Sequence, residues 1–383
     1  MTGAGHRIGI VGGGPAGLFL ARLLRREYPG LSVHVMERNP RGATYGFGVT
    51  LGAAPLARLR EADPALADAL ERRMVFDAVQ RVRLGRDDMD IEYAQGGGSI
   101  SRLDLLGVLD GACREVGAEI SYDSQIADAD LFNGCDLVVA ADGANSPLRD
   151  ARADRFGKSG RALGNRFAWF GVAKALSPNA LVFREALGGR FIAHYYAYGP
   201  SVSTFVAECD AQTWHASGFD SMDDAGRKTA IEAIFAPELE GAPLVENRSI
   251  WRRFEAIGNE RWFDGRLVLI GDALRPAHFS IGSGTRLAME DAYALFTAIR
   301  DTGLADISDA LPLFVERRKP IRDLFAEATE RSFTWYENIA QAMQKPVLEF
   351  TYDFLTRTGR VDGERLVRYA PAFARRWAEA QTA

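Results

Sequence analysis

Lysine is scarce in this 383-residue chain: five of its 46 basic residues are Lys and the remainder are Arg. An excess of positive charge is also lacking, since 51 acidic residues leave a net charge of −5. That balance argues against general nucleic-acid binding and makes local arginine clusters more telling than the total. Cysteine is limited to Cys113, Cys135 and Cys209, all in apolar segments and without C-x-x-C spacing. Neither a disulfide framework nor a metal site is expected, and reduced core thiols suit a cytoplasmic protein. Met1-Thr2-Gly3 runs into a strand-like segment within a few residues, so no signal peptide is read. The apolar run Ile8–Leu24 is broken by Gly12, Gly13, Gly14 and Pro15, which excludes a membrane span there. Repeats and low-complexity tracts are lacking too. What remains is 47% hydrophobic and 25% charged, ordinary for a soluble globular protein with one large or two medium cores.

Against that background Arg266–Ala292 stands out. Leu267–Ile270 reads as a strand buried on both faces, and Gly271-Asp272 ends it with a carboxylate where open α/β sheets bind ligands. A loop through Ile281, Gly282, Ser283 and Gly284 then feeds a helix starting near Thr285, whose free N–H groups suit an electron-rich ligand. Alone, Gly-Asp is equally any strand-to-loop turn.

Upstream, Ile8–Val11 is a buried strand leading into Gly12-x-Gly14-x-Ala16-Gly17 and a helix to about Arg26. A second strand, Leu31–Met36, ends in Glu37-Arg38, with Glu37 placed 20 residues past Gly17 to accept from an adenosine ribose. Strand, glycine fingerprint, helix, second strand and acid together predict dinucleotide binding, and Glu37 favours FAD or NAD over a 2′-phosphate. Gly42–Gly52, with Phe47, Gly48 and Val49, is either a close-approach loop for a flat ligand or a mobile surface loop.

Pro55–Glu71 is expected to be helical, Val79–Leu84 and Met89–Tyr93 to be strands, and Ser101–Val116 a helix burying Leu103, Leu106, Leu109 and Cys113. Arg102, in its first turn, is a phosphate contact or a solvated arginine on spacing alone. Asp136–Ala141 is another buried strand, followed by Asp142-Gly143-Ala144-Asn145-Ser146-Pro147-Leu148-Arg149. From Ala151 to Glu260 the texture becomes β-rich: Arg166–Lys174, Ala180–Glu185, Gly189–Tyr198 and Val202–Glu208 read as strands. Alternation sends Phe191, Ala193, Tyr195 and Ala197 to one face, and His194, Tyr196 and Tyr198 to the other.

The set Gly12-x-Gly14-x-x-Gly17, Asp142-Gly-x-x-Ser146-x-x-Arg149 and Gly271-Asp272 resembles the class A flavoprotein aromatic hydroxylases in order and spacing, over essentially the whole chain. The family's usual histidine and proline after Gly-Asp are Arg275 and Phe279 here. Ala277–Ala292, Tyr45–Val49, Asn165-Arg166-Phe167, Ala193-His194-Tyr195 and Ser332–Asn338 are similar to the branch of salicylyl-CoA 5-hydroxylase and the hydroxylase half of 2-aminobenzoyl-CoA monooxygenase/reductase. Ala277–Ala292 is also similar to the tryptophan-derivative hydroxylases of violacein biosynthesis, so a free aromatic acid or an indole-derived substrate is the alternative to an aryl-CoA. The sequence ends soon after that last segment, so no reductase half is expected.

This resemblance implies an α/β fold: a Rossmann-like FAD-binding domain (1–75, 95–160 and 260–330), an inserted antiparallel-sheet substrate domain (76–94 and 161–259) and a helical region (331–383). It also implies roles. Gly12, Gly14 and Gly17, with Ala16 beside them, would meet the FAD pyrophosphate, Glu37 the adenosine ribose with Arg38 as a further cofactor contact, and Arg102 the pyrophosphate or ribityl region. Gln125-Ile126 would lie along the adenine and Asp272 along the ribityl chain. Gly271, Ile281, Gly282 and Gly284, with Phe47, Gly48 and Val49, would surround the flavin, while Asp142, Gly143 and Arg149 would organise the pyrophosphate side. NADH or NADPH would reduce FAD, O2 would add at C4a, and an electron-rich ring would attack the hydroperoxide. His194, Tyr196, His278 and Phe279 are the candidates for the ring pocket. Arg152, Arg155, Lys158, Arg161 and Arg166, against the single acid Asp154, are the candidate contacts for the phosphates of an aryl-CoA substrate. A solvated segment explains that run equally well. A monomer or homodimer acting on an aryl substrate and O2, without nucleic acid or membrane, completes the expectation.

Overall fold

The computed structural model describes residues 5–126 and 133–382. Its first sheet has the strand order Phe263–Asp264, Leu267–Leu269, Leu137–Ala140, Arg7–Val11, Ser32–Met36 and Glu119–Ser121. All neighbours are parallel except the short edge strand Phe263–Asp264. Helices Pro15–Glu27, Arg102–Glu115 and Gly284–Thr302 cover this sheet and share its core with Ile10, Val35, Val139 and Leu269. Covering both faces explains the unbroken apolar character of the strands.

The second sheet runs Leu244–Val245, Lys158–Val172, Val202–Cys209, Gly189–Gly199, Asn179–Ala186, Val75–Leu84, Asp87–Ser101 and Gly48–Gly52, and Arg252–Asn259 also pairs with Lys158–Val172. It is antiparallel except where Val75–Leu84 meets Asn179–Ala186 in parallel, because the hairpin from the first third of the chain joins the edge of the later strands. Several expectations need correction. The strand after Asp87 continues to Ser101, and the one expected at Arg166 begins at Lys158, so both reach past the boundaries read from composition. Gly48–Gly52 is a paired strand rather than free loop. Pro55–Glu71 divides into helices Ala53–Ala62 and Pro64–Glu71, because Asp63 caps the second and is held inside by Arg22 and Arg26 at 3.0 and 2.9 Å. The Arg102 helix buries Leu105, Leu109, Asp110 and Cys113, while Leu103 is exposed. The boundary expected at residue 331 lies inside one helix, Ile307–Glu337, whose end packs with helix Val347–Thr356 against the second sheet. No helix among the described residues is long and apolar enough to cross a membrane.

Candidate active site

Between the two sheets lies a cleft of about 1620 Å³. One end is built from main chain. Gly12 has φ +111°, and a Cβ there would stand 2.2 Å from the Ala141 carbonyl oxygen; a Cβ on Gly17 would stand 2.1 Å from that of Gly12. These two glycines let the first turn fold against the sheet, whereas Gly14 and Gly284 face open space. The helices starting at Pro15 and Gly284 have no side-chain cap, so their first N–H groups are left for a ligand. A Cβ on Gly271 would touch Ala16 and Ala288, so the two helix starts converge there.

Charged groups sit around this end. Glu37 accepts from the Gly13 N–H at 2.7 Å and from the Asn39 N–H at 2.8 Å, which fixes it beside the glycine turn. Arg38, Phe47, Gly48, Val49, Arg102, Gln125, Asp272, Ile281, Gly282 and Gly284 line the cleft, whereas Ile126 is buried and does not. Desolvation lowers the Arg102 pKa, opposed by the charges of Asp272 and Glu37. Asp272 is reached by solvent from the cleft yet surrounded by protein, and that burial raises its pKa against Arg322 and Arg102. Uncapped helix starts, a flanking arginine and an acid at the strand end form a donor and acceptor set that fits a dinucleotide.

The Gly271-Asp272 turn is clamped from behind. Buried Asp291 accepts from the Gly271 N–H at 3.0 Å and from Arg318 at 2.8 Å, and Arg322 donates to the Arg275 carbonyl at 2.6 Å. Arg149 is also buried, donating to the carbonyls of Ala144 and Ala273 at 2.7 and 3.1 Å. Its guanidinium therefore ties Asp142-Gly143-Ala144 to the Asp272 turn from within the protein. Burial raises the Asp142 pKa, with Ser146 opposing. Asp291, Arg318 and Arg322 were missed; their signal is Asp291 in an apolar helical face and two arginines four apart on the next helix.

The other end is built from side chains. Phe279 lies with ring centroids 4.7 Å from Phe167, 5.6 Å from Trp169 and 5.6 Å from His194, and Tyr336 is 5.4 Å from His194. Phe279, Trp169, His194 and Tyr336 all line the cleft. His194 Nε2 is 3.2 Å from Oε2 of Glu208, which is fully buried and also accepts from Asn165 Nδ2 at 2.8 Å. Burial pushes the Glu208 pKa up, but the bond and charge of His194 outweigh it and hold the carboxyl below its usual range.

Two pocket candidates have other employment. Tyr196 lines the cleft but donates to the Gly48 carbonyl at 2.8 Å, and burial pushes its phenol up to about 12, so it ties two strands together. His278 does not line the cleft. Its Nδ1 accepts from the Ser280 N–H at 3.2 Å, its ring stacks on Phe279 at 4.2 Å, and burial pulls its pKa down to about 4.

The arginine-rich segment does not come together at the cleft. Lys158 pairs with Asp150 at 2.7 Å, Arg152 with Asp264 at 3.4 Å and Arg161 with Glu330, while Arg166 lies over the Trp214 ring at 4.7 Å. Arg155 sits with Arg152 at a separate shallow hollow. Extended backbone from Lys158 to Arg166 spreads side chains over roughly 26 Å and both sheet faces, which undoes a run that looks compact in sequence. Glu208, Asn165, Trp169 and Tyr336 were the functional candidates missed. An acid inside the apolar run Phe205–Cys209 was the available signal, since buried carboxylates are paired.

A family model described as an FAD binding domain matches residues 115–306, and one described as an NAD(P)-binding Rossmann-like domain matches residues 10–45. The chain is 35% identical to salicyloyl-CoA 5-hydroxylase of Streptomyces sp, over 92% of this chain and 70% of that protein. It is 37% identical to 3-hydroxy-4-methyl-anthranilyl-(aryl-carrier protein) 5-monooxygenase of Streptosporangium sibiricum, over 93% of this chain and 95% of that protein. The tetrameric form of 2-methyl-3-hydroxypyridine-5-carboxylic acid oxygenase shares the fold, with a TM-score of 0.72 at 18% identity, over 92% of this chain and 98% of that one. Glycine turn, uncapped helix starts and Gly-Asp acid thus agree with likeness along nearly the whole length: the chain belongs to the FAD-dependent aromatic monooxygenases of the class A kind.

Proposed function

We propose that this monooxygenase hydroxylates a hydroxy- or aminobenzoyl thioester of the salicyloyl-CoA kind, with NADH or NADPH as electron donor. The observation that carries the reading is that both relatives described above are named for aryl groups carried on CoA or a carrier protein. The cleft supports it. Its volume exceeds the roughly 300–1000 Å³ of an ordinary small-ligand pocket, leaving room for a ring and an arm beside a dinucleotide. Arg248 and Arg252 line it, are exposed, and have no ion pair among the described residues, so they would meet phosphates of such an arm.

The Gly12–Gly17 turn would hold the FAD pyrophosphate together with Arg102, Glu37 the adenosine ribose, Asp272 the ribityl chain, and Ile281–Gly284 the flavin ring. FAD, when bound, accepts two electrons from the nicotinamide donor and activates O2. Phe279 and Trp169, backed by buried Phe167, keep water from the reacting ring carbon and hold the ring in place. His194 is placed to take a proton from a ring hydroxyl.

The test compares hydroxybenzoyl-CoA and aminobenzoyl-CoA with the free acids for stimulated NAD(P)H oxidation and for incorporation of one atom from 18O2. Equal stimulation and hydroxylation by the free acids overturns the thioester reading. Substrate consumed without label would instead mark an oxidase or dehydrogenase.

A further inference from the structure

His194 reaches the ring chamber with one of its two nitrogens already committed. Nε2 faces Glu208 Oε2 at 3.2 Å, and Oε1 of the same carboxylate accepts from Asn165 at 2.8 Å. Glu208 is 1% exposed, both its oxygens face hydrogen-bonding nitrogens, and the contact with His194 lowers its pKa. An ionised carboxylate only accepts, so Nε2 carries a hydrogen, and in the neutral ring, the form that can take a proton, Nδ1 is the nitrogen left with a bare lone pair. No hydrogen bond to Nδ1 exists among the described residues, and His194 lines the cleft. The groups around it do not compete for that role. Tyr336 is a buried phenol beneath the Arg357 guanidinium, Phe279 is apolar, and His278 behind it is neutral with its own Nδ1 occupied.

We infer that Glu208 is a positioning residue for hydroxylation: anchored by Asn165, it locks His194 in the tautomer whose bare Nδ1 takes the proton of a ring hydroxyl. This rests on the reading of the chamber as the site of a hydroxyaryl ring. In the step the substrate O–H bond breaks and an N–H bond forms at Nδ1. The imidazolium so formed stays beside the Glu208 carboxylate, which offsets its charge. The phenolate has more electron density at its ortho and para carbons, where one atom of O2 is added; NAD(P)H supplies the two electrons with which the other leaves as water. An amino substituent donates electrons without losing a proton, so the relay favours hydroxyaryl over aminoaryl rings.

The test uses 15N-labelled holoprotein. Only five histidines are present, and the His194 ring signals are identified by their loss in His194→Gln. The expected spectrum shows a protonated Nε2 and an unprotonated Nδ1, with the two tautomers mixed in Glu208→Gln. On a hydroxybenzoyl thioester, Glu208→Gln should lower kcat about tenfold or more with KM within about twofold, a modest part of what a general base contributes. On the aminobenzoyl thioester kcat should change less than about threefold. A wild-type spectrum with the hydrogen on Nδ1 overturns the proposal without any variant. Equal losses on both substrates overturn it as well, since they mark a merely structural role. If neither thioester is turned over, the substrate reading fails, while the tautomer still decides the assignment of Glu208.

Discussion

The two ends of the cleft are made of different material. The cofactor end is main chain: two glycines no side chain could replace, and two helix starts with free N–H groups. The ring end is side chains alone, with Asn165 and Trp169, His194, Glu208, Phe279 and Tyr336 drawn from five segments. Main-chain donors cannot be exchanged by point substitution, whereas each wall of the ring chamber can. That contrast gives a physical reason for one fold to keep its cofactor while its aromatic substrates vary.

The contrast breaks most visibly at Gly12. Gly12→Ala adds a Cβ at 2.2 Å from a rigid carbonyl and strains a φ of +111°. A cost of about 3 kcal/mol or more is expected from clash and strain together, with loss of bound flavin and a lowered Tm. Gly14→Ala, which meets nothing within 4 Å, should keep the fold. A yellow, fully stable Gly12→Ala protein would end the main-chain account of this end.

The ring end has its own large effect, read by pH. His278 is buried neutral with a pKa of about 4, below the ordinary 6.5 of an unfolded chain. The unfolded chain therefore binds more protons between these values, and stability present above about pH 6.5 is lost as the pH falls toward 4, by up to about 3 kcal/mol. Urea unfolding at several pH values measures the slope. His278→Asn keeps an acceptor for the Ser280 N–H and should flatten it; an unchanged slope assigns the loss elsewhere.

Asp272→Ala sharpens the comparison, as the cofactor end's main side-chain contribution. Removing a charged acceptor should weaken FAD binding by about 1.5–3 kcal/mol, read by flavin fluorescence titration. Unchanged affinity would mean that the main chain suffices.

These two ends also differ in how far they could be read beforehand. Gly12, Gly17, Glu37 and Asp272 are local signals, because a turn or strand end is specified within a few residues: the two glycines and Glu37 form one packed turn, and Asp272 lines the cleft. His194 and Phe279 were legible as polar and aromatic residues near known motifs. Glu208 signalled itself only as an acid in an apolar run, since its partner depends on the register of the next strand, and Tyr336 not at all, because the long helix Ile307–Glu337 brings it to His194 from far along the chain. His278 misled for the converse reason: its neighbours in sequence face the cleft, but the turn at Ser280 draws its own ring inward.

A smaller effect tests the chamber wall. Phe279→Ala should admit water and raise the share of NAD(P)H oxidation ending as H2O2 at least about twofold, with FAD content unchanged. Peroxide and product assayed together decide it; unchanged coupling moves the shelter to Trp169 or Phe167.

The smallest effect is expected where the sequence looked most charged. Arg152 pairs with Asp264 across 3.4 Å, both partly exposed, and Arg155 lies beside it at a hollow separate from the cleft. Such a surface pair is worth at most about 1 kcal/mol of stability. Neither residue lines the cleft, so Arg152→Ala with Arg155→Ala should leave kcat and KM for an aryl thioester within about twofold. Arg248→Ala with Arg252→Ala, inside the cleft, should instead raise KM while leaving kcat nearly unchanged, since a contact to a distant phosphate is equal in ground and transition states. A raised KM in the first pair and not the second would return the phosphates to the segment read from sequence, and would place substrate binding on a face away from both ends of the cleft.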